Sequence, residues 1–175
     1  MAQLAQCGAR GRREALRRAV HWIFLGARDL PGVALRYGFF YGPGTYHDPI
    51  DGSVSEQVRK QAYPVIGSGG GVFSFVHVED AAGATVAALE SDPGFYNVVD
   101  DDPSEMSVWL PAFARFLGAA EPPHLGQQEA LQTAGADAVY YATRLRGASN
   151  GLAKRKLGFA PRKLEWLSKP KAAAS

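Results

Sequence analysis

Between residues 14 and 27 the run EALRRAVHWIFLGA places Leu16, Val20, Ile23, Phe24 and Ala27 on one stripe at helical spacing, with Arg17 and Arg18 off it. The pattern predicts a helix with one buried face. After the turn signal Asp29-Leu30-Pro31-Gly32 the period changes, and VALRYGFF reads as a short apolar strand covered on both sides, as in a parallel sheet. Tyr41-Gly42-Pro43-Gly44 ends it. A helix followed by a buried strand is the second half of a crossover unit, so the sheet is expected to start before this helix.

Further along, residues 51–62 predict a helix with Ser53 or Ser55 as its cap and Val58 on the packed side. The strand FVHVE comes later, and Asp80 stands directly after it, placed to cap the helix AAGATVAALE. FYNVVD, introduced by Gly94, has the aromatic and β-branched content of a strand. Ser104 or Ser107 starts a helix carrying Met106, Leu110, Phe113 and Leu117 at helical spacing, with Pro111 near its first turn. Residues 119–136 are polar and weakly periodic and are expected to cover a surface; ADAVYYATRL predicts a short helix. At the end Asn150 caps GLAKRKL and Gly158 stops it.

Two stretches invite chemistry. VIGSGGGVFSF, residues 65–75, has the glycines of a phosphate cradle but not their spacing: G-x-G-x-x-G begun at Gly67 puts Val72 at the last glycine. The glycines lead into an alternating strand rather than a helix, so the run is expected to be a flexible connection between two short strands. Asp100, Asp101 and Asp102 suggest a metal, but adjacent carboxylates diverge, and a solvated turn before Pro103 is the expectation.

The totals narrow the field. With 175 residues, 46% hydrophobic and 21% charged, the chain is globular and long enough for one domain with a core. A net charge of +2 argues against a nucleic-acid or membrane partner, and the basic residues 154–156 with Arg162 and Lys163 read as a solvated face. Cys7 is the only cysteine, which rules out an internal disulfide and fits a cytoplasmic setting. No apolar run approaches the ~20 residues of a membrane span.

LRYGFFYGPG, FSFVHVEDAA, FYNVVDDDP and RGASNGLAKRKLGFAP, in this order, resemble the C-terminal half of the extended short-chain dehydrogenase/reductases, the NAD-dependent epimerase/dehydratase family. The resemblance implies an α/β fold: the C-terminal part of a Rossmann-like doubly wound parallel sheet with a small substrate-binding subdomain, the N-terminal dinucleotide half missing. It divides the chain into a poorly ordered 1–13, a body at 14–167 and a flexible tail at 168–175. Such enzymes hold the pyrophosphate on a G-x-x-G-x-x-G turn and exchange protons through a Tyr-x-x-x-Lys pair. Neither occurs here; Tyr140 comes nearest, with Arg144 in the lysine position. NAD or NADP is therefore implied by the family, with binding by this chain alone doubtful and no catalytic residue assigned.

By the same resemblance Gly38 and Phe39 approach the nicotinamide, while Phe40, Tyr41, Phe73 and Arg146 face a small-molecule substrate. Sugar-nucleotide members carry an asparagine where Phe39 and Phe40 align and an arginine where Phe73 does. These exchanges imply a smaller or more apolar hydroxy or carbonyl substrate, unless the three phenylalanines are core. The expected function is thus the substrate-side fragment of an NAD(P)-dependent oxidoreductase or epimerase, inactive alone. The alternative is a binding module or remnant that pairs with another chain, or with its own copy, through an exposed sheet edge.

Overall fold

The structure, a computed structural model, describes residues 32–168. The predicted helix at 14–27, the segment 1–13, Cys7 and residues 169–175 lie outside the described residues.

VALRYGFF forms two strands where the sequence suggests one. β1 (Val33–Tyr37) runs parallel to β6 (Gly94–Val98), with Val33 opposite Gly94 and Tyr37 opposite Val98. At Gly38 the chain changes partner. Its N–H still reaches the Val98 carbonyl at 3.2 Å, but the next N–H, of Phe39, donates to the Ser74 carbonyl at 2.8 Å. β2 (Phe39–Tyr41) then runs parallel to β5 (Phe75–His77). From the other side Asp100 N–H donates to the Phe75 carbonyl at 2.6 Å, so β5 is wedged between two diverging strands. A Cβ at residue 38 would lie 2.5 Å from the Ser74 oxygen, so only glycine permits this hand-over.

Two apolar clusters flank the wedge. The larger gathers Phe73, Phe75, Tyr41 and Trp166 around Trp109, Leu110 and Phe113 of helix α3 (Met106–Phe116). The smaller packs Val76, Tyr96 and Val98 against Ala81 and Ala84 of α2 (Val78–Ala88) and Ala153 of α6 (Gly151–Leu157). Val33, Leu35 and Tyr37 lean on this second cluster.

The glycine run is anchored rather than flexible. It joins β3 (Val65–Ile66) to β4 (Val72–Phe73), but these strands pair elsewhere: β3 in parallel with β8 (His124–Leu125), β4 antiparallel to β7 (Ser104–Glu105). The segment 119–136 is therefore more than a cover, since it supplies β8 and α4 (Gln127–Thr133). The predicted helix at ADAVYYATRL is α5 (Gly135–Arg144), and Gly158 ends α6 with φ 62°, the left-handed turn expected of it.

Capping departs from the sequence reading because backbone and distant groups take over. Gly52, not a serine, precedes α1 (Ser53–Arg59), and buried Ser55 donates to the Asp48 carbonyl at 2.6 Å. His77 caps α2, its Nδ1 accepting from Glu79 N–H at 3.2 Å. Asp80 sits in the first turn, where the helix dipole favours a carboxylate, and accepts from Arg162 N–H and Nε at 2.9 and 3.0 Å. α3 starts at Met106, which puts Pro111 in its second turn. Among the described residues no helix is long and apolar enough to cross a membrane.

Candidate functional site

An open cleft of about 570 Å³ lies where β1 and β6 separate, at the carboxyl ends of both strands. Ligands of open parallel sheets bind at such a position, because diverging strands leave a crevice that no side chain fills. Phe39, Val72, Val99 and Leu145 supply its apolar surface, and Arg36, Ser74, Asn97 and Arg146 its polar surface. The lining contains two guanidinium groups and no carboxylate.

One side of the cleft is a strap, residues 145–150, tied down at four points. Val72 N–H donates to the Leu145 carbonyl at 2.9 Å and Ala148 N–H to Ser74 Oγ at 3.0 Å. Asn97 Nδ2 donates to the Ser149 carbonyl at 3.0 Å. The buried Asn150 Nδ2 reaches the Val99 carbonyl at 2.9 Å and Asp101 Oδ1 at 2.6 Å. Asn150 stands at the start of α6 as the sequence suggests, yet its amide locks the strap to the turn that follows β6 instead of capping the helix. Ser74, Asn97 and Asn150 lie within the stretches that carry the family resemblance, but their hold on the strap is not written there. A visible signal exists for the first two, each being a polar residue interrupting an apolar strand.

The aspartate turn is part of this lock. Asp100 is only 3% exposed, against the solvated placement expected, and accepts from the N–H groups of Phe75 and Asp102. Burial pushes its carboxyl up, with those hydrogen bonds opposing. The Asn150 amide and then Lys154, whose ammonium stands 2.7 Å away, hold the Asp101 carboxyl down. Among the described residues no three His, Cys, Asp or Glu side chains are grouped to hold a metal.

Of the expected site residues, the cleft brings together Gly38, Phe39 and Arg146. Phe73, 3% exposed, packs behind Phe39 with the rings tilted and their centres 4.8 Å apart, and does not line the cleft. Phe40 opens into a separate depression beside Tyr46 and Val78. Tyr41 is buried between His77 and Trp166, and burial raises its phenol far above the usual range, so it stays protonated.

The glycine run settles the phosphate question by hydrogen-bond polarity. The N–H groups of Gly67, Gly69 and Gly71 donate to Leu125, Ile66 and Ala142 at 2.8, 3.0 and 2.8 Å, and that of Gly70 to Ser68 Oγ at 3.3 Å. Its outward carbonyls, at Gly69 and Gly71, cap α3 by accepting from Ser107 and Met106 at 3.0 and 2.9 Å. A phosphate needs donors, and this loop has spent them on the protein. Gly38 and Phe39 have likewise committed their N–H groups. The glycine run and the Gly38–Phe39 backbone thus do not fit the pyrophosphate of a dinucleotide, and no step is derived through one.

Parallel strand pairs with a crevice at their carboxyl ends define a Rossmann-like α/β fold. The model of the NAD-dependent epimerase/dehydratase family matches residues 15–98, just under half of the chain, and the chain is similar to that family there. It is 42% identical over 139 residues to the 3-diazoavenalumate denitrifying reductase of a Streptomyces species, covering 79% of this chain and 45% of that protein. Among solved structures it is similar to a conserved protein of unknown function from Silicibacter pomeroyi: TM-score 0.63, 30% identity, 91% of this chain and 52% of the other. The human epimerase family protein solved with NADPH shares the fold: TM-score 0.64, 21% identity, 85% and 51% covered. The chain thus spans about half the length of these relatives.

Proposed function

We propose that this chain forms the substrate-side part of an NAD(P)-dependent reductase that acts on a small hydroxy or carbonyl compound held in the cleft beside Phe39 and Arg146. The observation that carries the choice of a reductase is the 42% identity to the Streptomyces reductase. The spent donors of the glycine run support a substrate without a diphosphate. In this reading Phe39 forms a wall, Arg146 orients the substrate and the strap keeps both in place. The Tyr37 hydroxyl is engaged by Thr85 at 2.5 Å, so the described cleft binds and orients while proton and hydride transfer fall to other groups.

The test is to fuse this chain to the portion of the Streptomyces reductase it does not span and to follow oxidation of NADH and NADPH with 3-diazoavenalumate and with simple aromatic aldehydes. Cofactor oxidation dependent on the added compound is the expected result. A folded fusion that oxidises neither cofactor counts against the reading. A second reading, an interaction module, draws on one observation: among the described residues β1 pairs with β6 alone, leaving its other edge open.

A further inference from the structure

The cleft's chemistry narrows the ligand beyond its size. Arg36 and Arg146 both face it, but they are not equivalent. Arg36 stands opposite Asn97 in the strand register, and its guanidinium lies over the Phe95 ring, 4.8 Å from the centre. That contact occupies one face of the cation and fixes it at the edge. Arg146 is exposed and makes no hydrogen bond or ion pair among the described residues, although the backbone on both sides of it is pinned by the strap. An unpaired planar fork on an immobilised backbone is a site for one bidentate anion.

Across from it, the Phe39 ring is held from behind by Phe73 and edge-on by Tyr141, with centres 6.1 Å apart. The ring therefore presents a rigid face that does not have to be ordered on binding. A diphosphate would need several donors at once, and the nearest backbone donors are already used. A carboxylate needs only the one fork.

We propose that the cleft takes a small planar monocarboxylic acid, its carboxylate on the Arg146 guanidinium and its ring or conjugated plane against Phe39. Ser74 and Asn97 are positioning residues, which act through the strap that carries Arg146. The inference rests on the cleft being the substrate site, but ligand class is read without any hydride transfer. A failure here and a failure of the fusion assay are thus separate events.

Titration of the ¹⁵N-labelled chain with benzoate and 4-hydroxycinnamate, followed at the amides of Gly38, Phe39, Asn97 and Arg146, tests it; benzamide and UDP-glucose serve as comparators. Both acids should move these four amides, and benzamide should bind about tenfold more weakly for want of the charge-assisted pair. Arg146→Gln should weaken benzoate about tenfold and leave benzamide unchanged, with Arg146→Lys recovering part of the loss. Since the Arg146 side chain is solvent-exposed and unpaired, the variants keep the fold, which the rest of the spectrum verifies. Equal binding of benzamide and benzoate, tighter binding of UDP-glucose at these amides, or no movement with either acid would overturn the proposal.

Discussion

His47 sits 6% exposed among the rings of Phe39, Phe75, Trp109 and Phe113, with its Nδ1 donating to the Phe40 carbonyl at 3.1 Å. Burial lowers its pKa from 6.5 to about 4, and the carbonyl only partly opposes that. The unfolded chain then binds the proton more tightly than the folded one. The stabilising effect is fully present above pH 6.5 and is lost as pH falls towards 4. Urea unfolding should show a loss of about 3 kcal/mol across that window, smaller in His47→Gln, which removes this titration. Glycines give a contrasting pair. A Cβ at Gly71 would lie 2.0 Å from the Tyr141 carbonyl, so Gly71→Ala should cost about 3 kcal/mol. At Gly83, exposed in α2 with open space around it, Gly83→Ala should raise stability by about 1 kcal/mol, visible as a higher melting temperature. Phe73→Arg, which by family resemblance would restore a sugar-nucleotide contact, should instead unfold this chain by forcing a cation into the aromatic core; loss of the near-ultraviolet dichroism would report it. The sequence offers Phe73 as wall or core, and burial decides for core. Asp100 is misread because its partner, Phe75 N–H, lies 25 residues away and nothing local announces it.

At the level of elements, legibility follows the range of the forces. α5, α6 and the Gly158 stop are read directly, since helical periodicity and a left-handed cap are written in neighbouring residues. β3, β4, β7 and β8 are two residues each, too short for any period, and exist through partners far along the chain. The break of VALRYGFF at Gly38 is missed for the same reason, because what requires it is the Ser74 carbonyl. The strap belongs to this illegible class, and its stability is testable. Asn150→Ala leaves the Val99 carbonyl without its donor and frees Asp101 from the amide. A cost of about 2 kcal/mol is expected, with hydrogen exchange quickened at residues 145–150 and unchanged in α3. Uniform quickening would show that the strap is not a separate unit.

At the scale of the molecule, β1 has an edge unpaired among the described residues, and its side chains Val33 and Leu35 are apolar and half-buried. Such an edge is a template for a further strand. If the interaction-module reading holds, sedimentation should show the mass rising with concentration, and a constant monomer mass across the range would remove that reading. The single-glycine hand-over between β6 and β5 carries one more consequence. The smaller cluster and the larger aromatic one meet at β5, which gives Val76 to the first and Phe75 to the second, and heating or denaturant should melt them in succession. The loss of Tyr96 and Val98 packing would come first, while the tryptophan-rich part stays closed and keeps its fluorescence. A substitution at residue 38, whose Cβ would meet the Ser74 carbonyl, would act as a clutch: it would disturb the β2–β5 pairing and set the two melting events further apart.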